Sequence, residues 1–387
     1  MLYFQINLYY IFVLRQKYIL SLLYLKCSNS GTKVPYMITK KLFPVLIASQ
    51  LEKTILAARN REIDKLFEAG KILEAEKLKE GSLNRLTFLF GDGRCDFNCS
   101  ICYTFGSADG VLSAAQAISV IQQVNGMGAQ VTYWPGEGEL TLLRDFWKIM
   151  QYQADCKIPA VVFTDGSIFH SNKLSKSVFG ISPDELVCNV AGTFPQLHFY
   201  VKFWHSFQRK AAEMVRVKPK NYPYGKIGGK SVPLALVRLL EALGKERVGI
   251  QVMVSRENYK DVVENVLPIA KELDIYAYVE PIILAGRAQG RYDLLLTAAQ
   301  HKTLSKIFAS GGEYCEKRQS TELIVKGSML TPGIAIPPRE EDSILDEQGN
   351  VKDLFHIFHN GYFSEMRKKS EELGGCLCRA FWEKKLE

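Results

Sequence analysis

Cys95-Asp-Phe-Asn-Cys99-Ser-Ile-Cys102, directly after the apolar stretch Leu86-Thr-Phe-Leu-Phe-Gly91, decides how this chain is read. The apolar stretch has the length of a buried strand. The C-x3-C-x2-C spacing then places three thiols on one short loop at its end. Three thiolates can hold three irons of a [4Fe–4S] cube and leave the fourth without a protein ligand, whereas a cluster that only carries electrons normally has four cysteine ligands. An iron left open in this way can bind a small molecule. A zinc knuckle is the alternative reading. Such sites need four ligands, commonly as two C-x2-C or Cys/His pairs. No His or Cys follows closely enough after Cys102 to complete that set locally, although a distant residue can.

From residue 85 onward, strands and helices alternate. Ser113 caps a helix with Ala114, Ala117, Ile118, Ile121 and Val124 on one face. Strands are predicted at 130–134, 160–164, 197–204, 248–254 and 276–284. Between them run apolar helix stripes: Leu143, Phe146, Trp147 and Met150; Leu236, Leu239, Leu240 and Leu243 after Pro233; and Val263, Val266, Leu267 and Ala270. Pro268 leaves the length of that last helix open. Six β/α units in series specify a parallel sheet with helices outside. Sites in such architectures form at the C-terminal ends of the strands. The cysteine loop, Gly136-Glu137-Gly138-Glu139 and Thr164-Asp165-Gly166 all fall at such ends.

The cysteine motif, with apolar Ile101 before its last Cys, resembles that of the radical S-adenosylmethionine (SAM) superfamily. The resemblance implies an α/β fold of the incomplete (β/α)6 TIM-type barrel kind over residues 85–290, rather than an open doubly wound sheet. It implies a [4Fe–4S] cluster on Cys95, Cys99 and Cys102, and S-adenosyl-L-methionine as cofactor, with Ile101 beside it. Gly136-Glu137-Gly138-Glu139 resembles the family's Gly-Gly-Glu motif, whose backbone and acid hold the methionine amino group. Here Glu137 replaces the middle Gly, and Leu140 stands where Pro often follows; a plain Gly-rich turn is the alternative. Thr164-Asp165-Gly166 resembles a Thr-Asn-Gly turn. Lys202, His205 and Ser206, with Arg256 and Asn258, stand where relatives contact SAM, and structural pairing is the alternative for them. Lys202 sits in the apolar run Phe199 to Trp204, where a buried lysine needs a partner. Glu280 either faces substrate or pairs with one of these cations. The implied reaction is reductive cleavage of SAM and abstraction of a hydrogen atom from a peptide or small natural product, with flavodoxin or ferredoxin as electron donor. RNA modification, activation of a partner protein, and a non-catalytic iron or zinc protein are the other readings. No catalytic acid, base or hydrogen donor is identifiable from the sequence.

The rest of the chain frames this core. Its 387 residues are 47% hydrophobic and 23% charged, an ordinary globular balance, and its formal charge of +8 is too modest to indicate nucleic acid by itself. Nine cysteines that include a thiolate motif imply a reducing compartment, hence a cytoplasmic protein. Residues 1–36 read as a non-native or disordered upstream segment, with Met37 as the expected start. Arg15 and Lys17 break this segment into apolar runs shorter than the ~20 residues a membrane span needs. Residues 37–84 read as a helical extension. The connection from Phe207 to Lys230 carries seven cations and one acid, Glu213, and reads either as a guide for an acidic ligand or as a solvated loop. Beyond 290 the βα rhythm is predicted to stop. Residues 291–387 resemble the SPASM and twitch extensions that hold auxiliary clusters, and Cys315, Cys376 and Cys378 are the ligands this implies. Pro332 stands where a further Cys would be, and C-x-C replaces C-x2-C. A small α+β unit without metal is the alternative. Cys156 and Cys188 read as packing residues.

Overall fold

Every residue of Arg85–Leu89 (β1) is buried, so this strand needs cover on both faces and neighbours on both edges. The computed structural model describes residues 85–103, 111–129, 131–156, 158–308, 313–314, 322–331 and 342–360, together with 362, 364–366 and 369. The predicted upstream segment, the helical extension over 37–84 and Cys315, Cys376 and Cys378 lie outside the described residues.

The six expected strands form. They are β1, Val131–Trp134 (β2), Ala160–Thr164 (β3), Leu197–Lys202 (β4), Val248–Val254 (β7) and Tyr276–Pro281 (β8). A hairpin, Tyr224–Ile227 (β5) and Lys230–Pro233 (β6), forms a separate two-stranded sheet. In the main sheet the order β1-β2-β3-β4-β7-β8 is parallel throughout, with registers such as Lys202 opposite Gln251 and Met253 opposite Glu280.

The rhythm does not stop at 290. Helix Ala298–Phe308 leads to Glu313–Tyr314 (β9), parallel to β8, and Glu322–Lys326 (β10) pairs in parallel with the free edge of β1. Met329–Thr331 (β11) closes that flank antiparallel to β10. The described sheet therefore has nine strands, eight of them parallel, and stays open between β9 and β11. This is an α/β partial barrel.

Helices cover the outer face. Ala114–Gly126 (α1) starts at Ser113 with a reciprocal capping box to Gln116, and Arg144–Asp155 (α2) follows the β2 loop. Asn172–Phe179 (α3) and Pro183–Thr193 (α4) fill the β3–β4 connection, for which the sequence reading named no helix. The signal was present in Ser182-Pro183-Asp184-Glu185, a capping box with Pro at the first helical position. The basic connection after β4 is ordered as Gln208–Met214 (α5) and the β5–β6 hairpin, before Leu234–Leu243 (α6).

The helix over 259–272 (α7) runs through Pro268 because its middle, Val262–Val266, widens to π-winding just before the proline. The bond that a missing N–H would leave unmade is thereby shifted. Cys156 and Cys188 are exposed, one capping α2 and the other on α4, which corrects their reading as packing residues.

Toward the barrel interior the strands present Val131, Tyr133, Val161, Phe163, Tyr200, Tyr276 and Tyr278 as one packed layer. Arg85 lies over the Tyr133 ring at 4.5 Å. Gly249 makes room for this layer. A Cβ there would meet the Tyr200 ring at 3.0 Å and the Tyr276 carbonyl at 2.6 Å. At the next level, Gln251 Nε2 donates to Glu280 Oε2 at 2.9 Å and Tyr278 Oη donates to Glu280 Oε1 at 3.0 Å.

Two histidines outside this layer set the acid limit of the fold. Burial, followed by the positive charge of Arg238 or Arg247, pushes His170 and His198 down to about 4 from the usual 6.5. At these two sites the unfolded chain therefore binds more protons than the folded one below about pH 6.5. Their contribution to stability should be fully present above that pH and fall as the pH drops toward 4. Denaturant titrations across this window should show the loss, and His198→Gln should flatten the slope.

Candidate functional site

The cysteine loop leaves β1 and is held on three sides by main-chain contacts. On the first side, the β2 exit loop lies against it. Glu137 N donates to Phe90 O at 2.8 Å, Gly93 N to Glu137 O at 3.2 Å, and Glu139 N to Arg94 O at 2.8 Å. Two glycines permit this approach. A Cβ on Gly91 would stand 2.1 Å from Glu137 O, and one on Gly138 would stand 2.2 Å from Arg94 O. Both also have positive φ, at 141° and 91°.

On the second side, the end of α5 accepts from the loop, Asn98 N to Val215 O at 3.1 Å and Ser100 N to Met214 O at 2.9 Å. On the third, the segment after β8 grips its end. Arg287 N donates to Cys102 O at 2.9 Å and Arg287 Nη1 to Cys99 O at 3.0 Å. Gly286, at φ 56°, sits so close that a Cβ would be 2.4 Å from Cys102 O. Ile101 and Phe97 anchor the loop from below in a cluster with Trp204, Ala211, Ala212, Val215, Tyr222, Met253 and Ile282. Phe97 meets Tyr222 edge-on at 5.3 Å.

The Gly136–Glu139 and Thr164–Gly166 turns are tied together by one buried carboxylate. Glu139, 1% exposed, accepts at Oε1 from Thr141 Oγ1 and Thr164 Oγ1, both at 2.6 Å, and at Oε2 from Asp165 N at 2.8 Å. Oε1 is saturated while Oε2 carries a single donor, so the remaining acceptor capacity lies there. Asp165 caps its own turn through Ser167 N, and its Oδ2 lies 3.9 Å from Cys95 Sγ. Burial, then the charges of Glu139 and Asp96, hold the Asp165 carboxyl well above the usual carboxylate range. Lys202 ends β4 amid these groups. Burial alone would lower it, but Glu139, Cys95 and Asp165 outweigh that and raise it. Burial, then the charges of Glu280, Cys102 and Glu137, push the Tyr103 hydroxyl well above its usual range, and it lies 3.4 Å from Gly136 O.

Of the residues singled out in the sequence, Cys95, Cys99, Cys102, Glu137, Glu139 and Lys202 converge at this end of the barrel. Four others are engaged elsewhere. Ser206 gives its N–H and Oγ to Asp261 at 2.7 and 2.5 Å, and His205 Nδ1 lies 3.1 Å from the same carboxylate. Asn258 is buried and spends its amide on Ser255 N, Trp204 O and Met253 O. Arg256 is exposed and donates from Nε to Leu295 O. Gly286, Arg287 and the Met214–Val215 carbonyls were missed. They act through backbone positions that only the fold brings beside the cysteines.

Cys95, Cys99 and Cys102 form no disulfide, and Cys99 and Cys102 are half-buried. Burial pushes Cys99 up to about 12. A thiophilic metal would displace these protons on binding. Three soft donors on one clamped loop, with Lys202 to offset thiolate charge, fit an iron–sulfur cluster. Cys95 also groups with Asp96 and Asp165 within 4.8 Å, but two carboxylates and one thiol are a harder set that leaves Cys99 and Cys102 unused.

No protein-family model matches the chain, and no curated protein matches it. Solved structures do. Streptococcus suis SuiB is similar with a TM-score of 0.51 and 12% identity, over 81% of this chain and 75% of that one. SuiB bound to S-adenosylmethionine gives 0.51 and 12% over 80% and 78%. SuiB bound to the precursor peptide SuiA gives 0.50 and 12% over 94% and 82%. At this identity the likeness is one of fold, and the fold is the partial barrel that the radical SAM resemblance implies. No helix among the described residues is long and apolar enough to cross a membrane.

The clamp at Gly286 generates a measurable expectation. Gly286→Ala should speed labelling of Cys99 and Cys102 by a thiol reagent in the metal-free protein, with far-ultraviolet circular dichroism unchanged. Equal labelling rates in parent and variant would show that this contact does not hold the loop.

Proposed function

We propose that the chain is a radical SAM enzyme that modifies a peptide. One arrangement carries the reading. Three cysteines on a loop are clamped by the β2 exit loop, the end of α5 and the segment after β8, beside a buried acid and one lysine, at the C-terminal end of a parallel partial barrel. The likeness to SuiB, which has been solved with S-adenosylmethionine and with its precursor peptide, supports the same reading and favours a peptide over RNA as substrate.

Cys95, Cys99 and Cys102 would hold a [4Fe–4S] cluster. When bound together, cluster and SAM supply a deoxyadenosyl radical able to take a hydrogen atom from an unactivated C–H bond. The chain's own residues do the remaining work. Glu139 Oε2 offers its open acceptor position to the methionine ammonium. Lys202 neutralises thiolate and carboxylate charge and is placed to meet the SAM carboxylate. Asp165, whose carboxyl is held well above the usual carboxylate range by burial and by Glu139 and Asp96, lies beside Cys95. Above the tyrosine layer, Gln251 and Glu280 are hydrogen-bonded to each other and are among the polar groups that a substrate in the barrel would meet. In the tail, Cys315, Cys376 and Cys378 would be the ligands of an auxiliary cluster. The activity and its reductant requirement belong to a cytoplasmic setting.

Anaerobic reconstitution should give a protein with charge-transfer absorption near ~400 nm typical of iron–sulfur proteins. Changing Cys95, Cys99 and Cys102 together to Ala should remove at least one cluster's worth of iron and sulfide. With SAM and a strong reductant the parent should form 5′-deoxyadenosine and methionine. Glu139→Gln should weaken SAM binding, because the amide sets an N–H against Asp165 N or against the ammonium. Undiminished iron in the triple variant would disprove the ligand assignment. A fully loaded, reduced protein that never forms deoxyadenosine with any peptide offered would overturn the enzyme class.

A further inference from the structure

The segment 207–222 has two unlike faces. Inward, Ala211, Ala212, Val215 and Tyr222 are buried against Phe97 and Ile101 of the cysteine loop. Met214 and Val215 accept main-chain bonds from Ser100 and Asn98. Outward, the segment carries five cations, Arg209, Lys210, Arg216, Lys218 and Lys220, against one acid, Glu213. Glu213 is already shared by Arg209 at 3.3 Å and Lys210 at 2.9 Å. Arg216, Lys218 and Lys220 are exposed, and none of them forms an ion pair among the described residues. Phe207, at the start of α5, is 66% exposed, more than any other large hydrophobic side chain described. Arg216 holds φ at 54°, a conformation unusual for a side chain of its size, where the chain turns off the helix beside the loop. On the other flank of the cysteine loop, Arg291 is balanced by Asp293 and Glu257, so the uncompensated positive charge lies on the α5 side.

We propose that this outer face is the docking surface for a small acidic one-electron carrier protein that reduces the cluster on Cys95, Cys99 and Cys102. The proposal rests on the function given above. Charge complementarity selects an acidic partner and steers its approach. An exposed aromatic on the same segment as exposed Arg and Lys side chains is consistent with the aromatic and Arg enrichment of interfaces. Position selects an electron carrier among acidic partners. A molecule seated on α5 is separated from the cysteine loop by one helix thickness, about 10 Å, and lies outside the barrel interior where a substrate has to enter. The exchange is simple. The carrier's reduced flavin or iron–sulfur centre is oxidised by one electron, the cluster is reduced by one, and no bond is made or broken between the two proteins.

The test uses the full reconstituted chain, with flavodoxin as probe. Calorimetric titration at low salt should show binding that weakens steeply as salt rises. The variant Arg216→Asn/Lys218→Gln/Lys220→Gln should bind about tenfold or more weakly, lose most of that salt dependence, and accept electrons from flavodoxin hydroquinone about tenfold more slowly. Cluster content and reduction by dithionite should be unchanged. Lys173→Gln/Lys176→Gln on α3 should behave as the parent. A triple variant that binds flavodoxin and is reduced by it like the parent overturns the proposal. So does a variant that loses only the binding of a single-stranded RNA probe, which would assign the surface to nucleic acid. A chain that assembles no cluster overturns the function instead, and calorimetry with flavodoxin still reads the docking surface on its own.

Discussion

The approach of two backbones without an intervening side chain is the constraint on which this site depends. At Gly91 and Gly138 the loops leaving β1 and β2 come closer than any Cβ allows, and three main-chain hydrogen bonds fill the contact. The cysteines are therefore positioned by peptide geometry and not by side-chain packing alone. One glycine of the Gly136–Glu139 stretch acquires a second meaning. The family resemblance assigns it to close approach of a ligand, and here Gly138 also admits the neighbouring cysteine loop, while Gly136 makes room for Leu140 of its own turn.

Charge follows from that closeness. Glu139, Asp165, Cys95 and Cys99 gather around one lysine, and Asp96 adds its charge beside Asp165. Such a group is tolerable because burial and mutual repulsion disfavour ionisation of Asp165 and of the Cys95 and Cys99 thiols, and because Lys202 offsets negative charge. A multivalent cationic cluster would relieve the same repulsion, so the site's electrostatics and its donor chemistry point to the same occupant. The buried hydrogen bonds of Glu139 make that acid a structural staple as well, which ties the β2 and β3 exits into one unit.

Much of the fold was legible because burial enforces pattern. The six apolar strands and the stripes on α1, α2, α6 and α7 could be read from periodicity. The cysteine loop and both turns could be placed at strand ends because βα order dictates it. What stayed hidden was non-local. Nothing local marks Met214, Val215 or Arg287 as partners of the cysteines, since their contacts are made by main-chain atoms and any sequence supplies those. Asn258 and Ser206 read as ligand contacts from the family resemblance, with structural pairing as the alternative. In the structure they bond Met253, Trp204 and Asp261, as buried polar groups require. Pro268 blurred a helix that survives through its π-wound turn. The strands β9 and β10 were missed because they are short and depend on the edges they join.

The pairing of β10 with β1 has a consequence for how the chain comes to be folded. Arg85 and Glu322 lie side by side although most of the sheet is encoded between them. On a ribosome, β1 is made first, yet one of its flanks stays bare until the last parallel strand emerges. For that interval an apolar ribbon with unsatisfied amides is available to any stray strand. Long-range parallel pairing of this sort is also slow to find. The element that carries the cysteines is thus the first written and among the last completed. If the cysteines hold the proposed cluster, its loading would compete with maturation of the chain, because a cluster supplied too early would meet a loop whose scaffold does not yet exist.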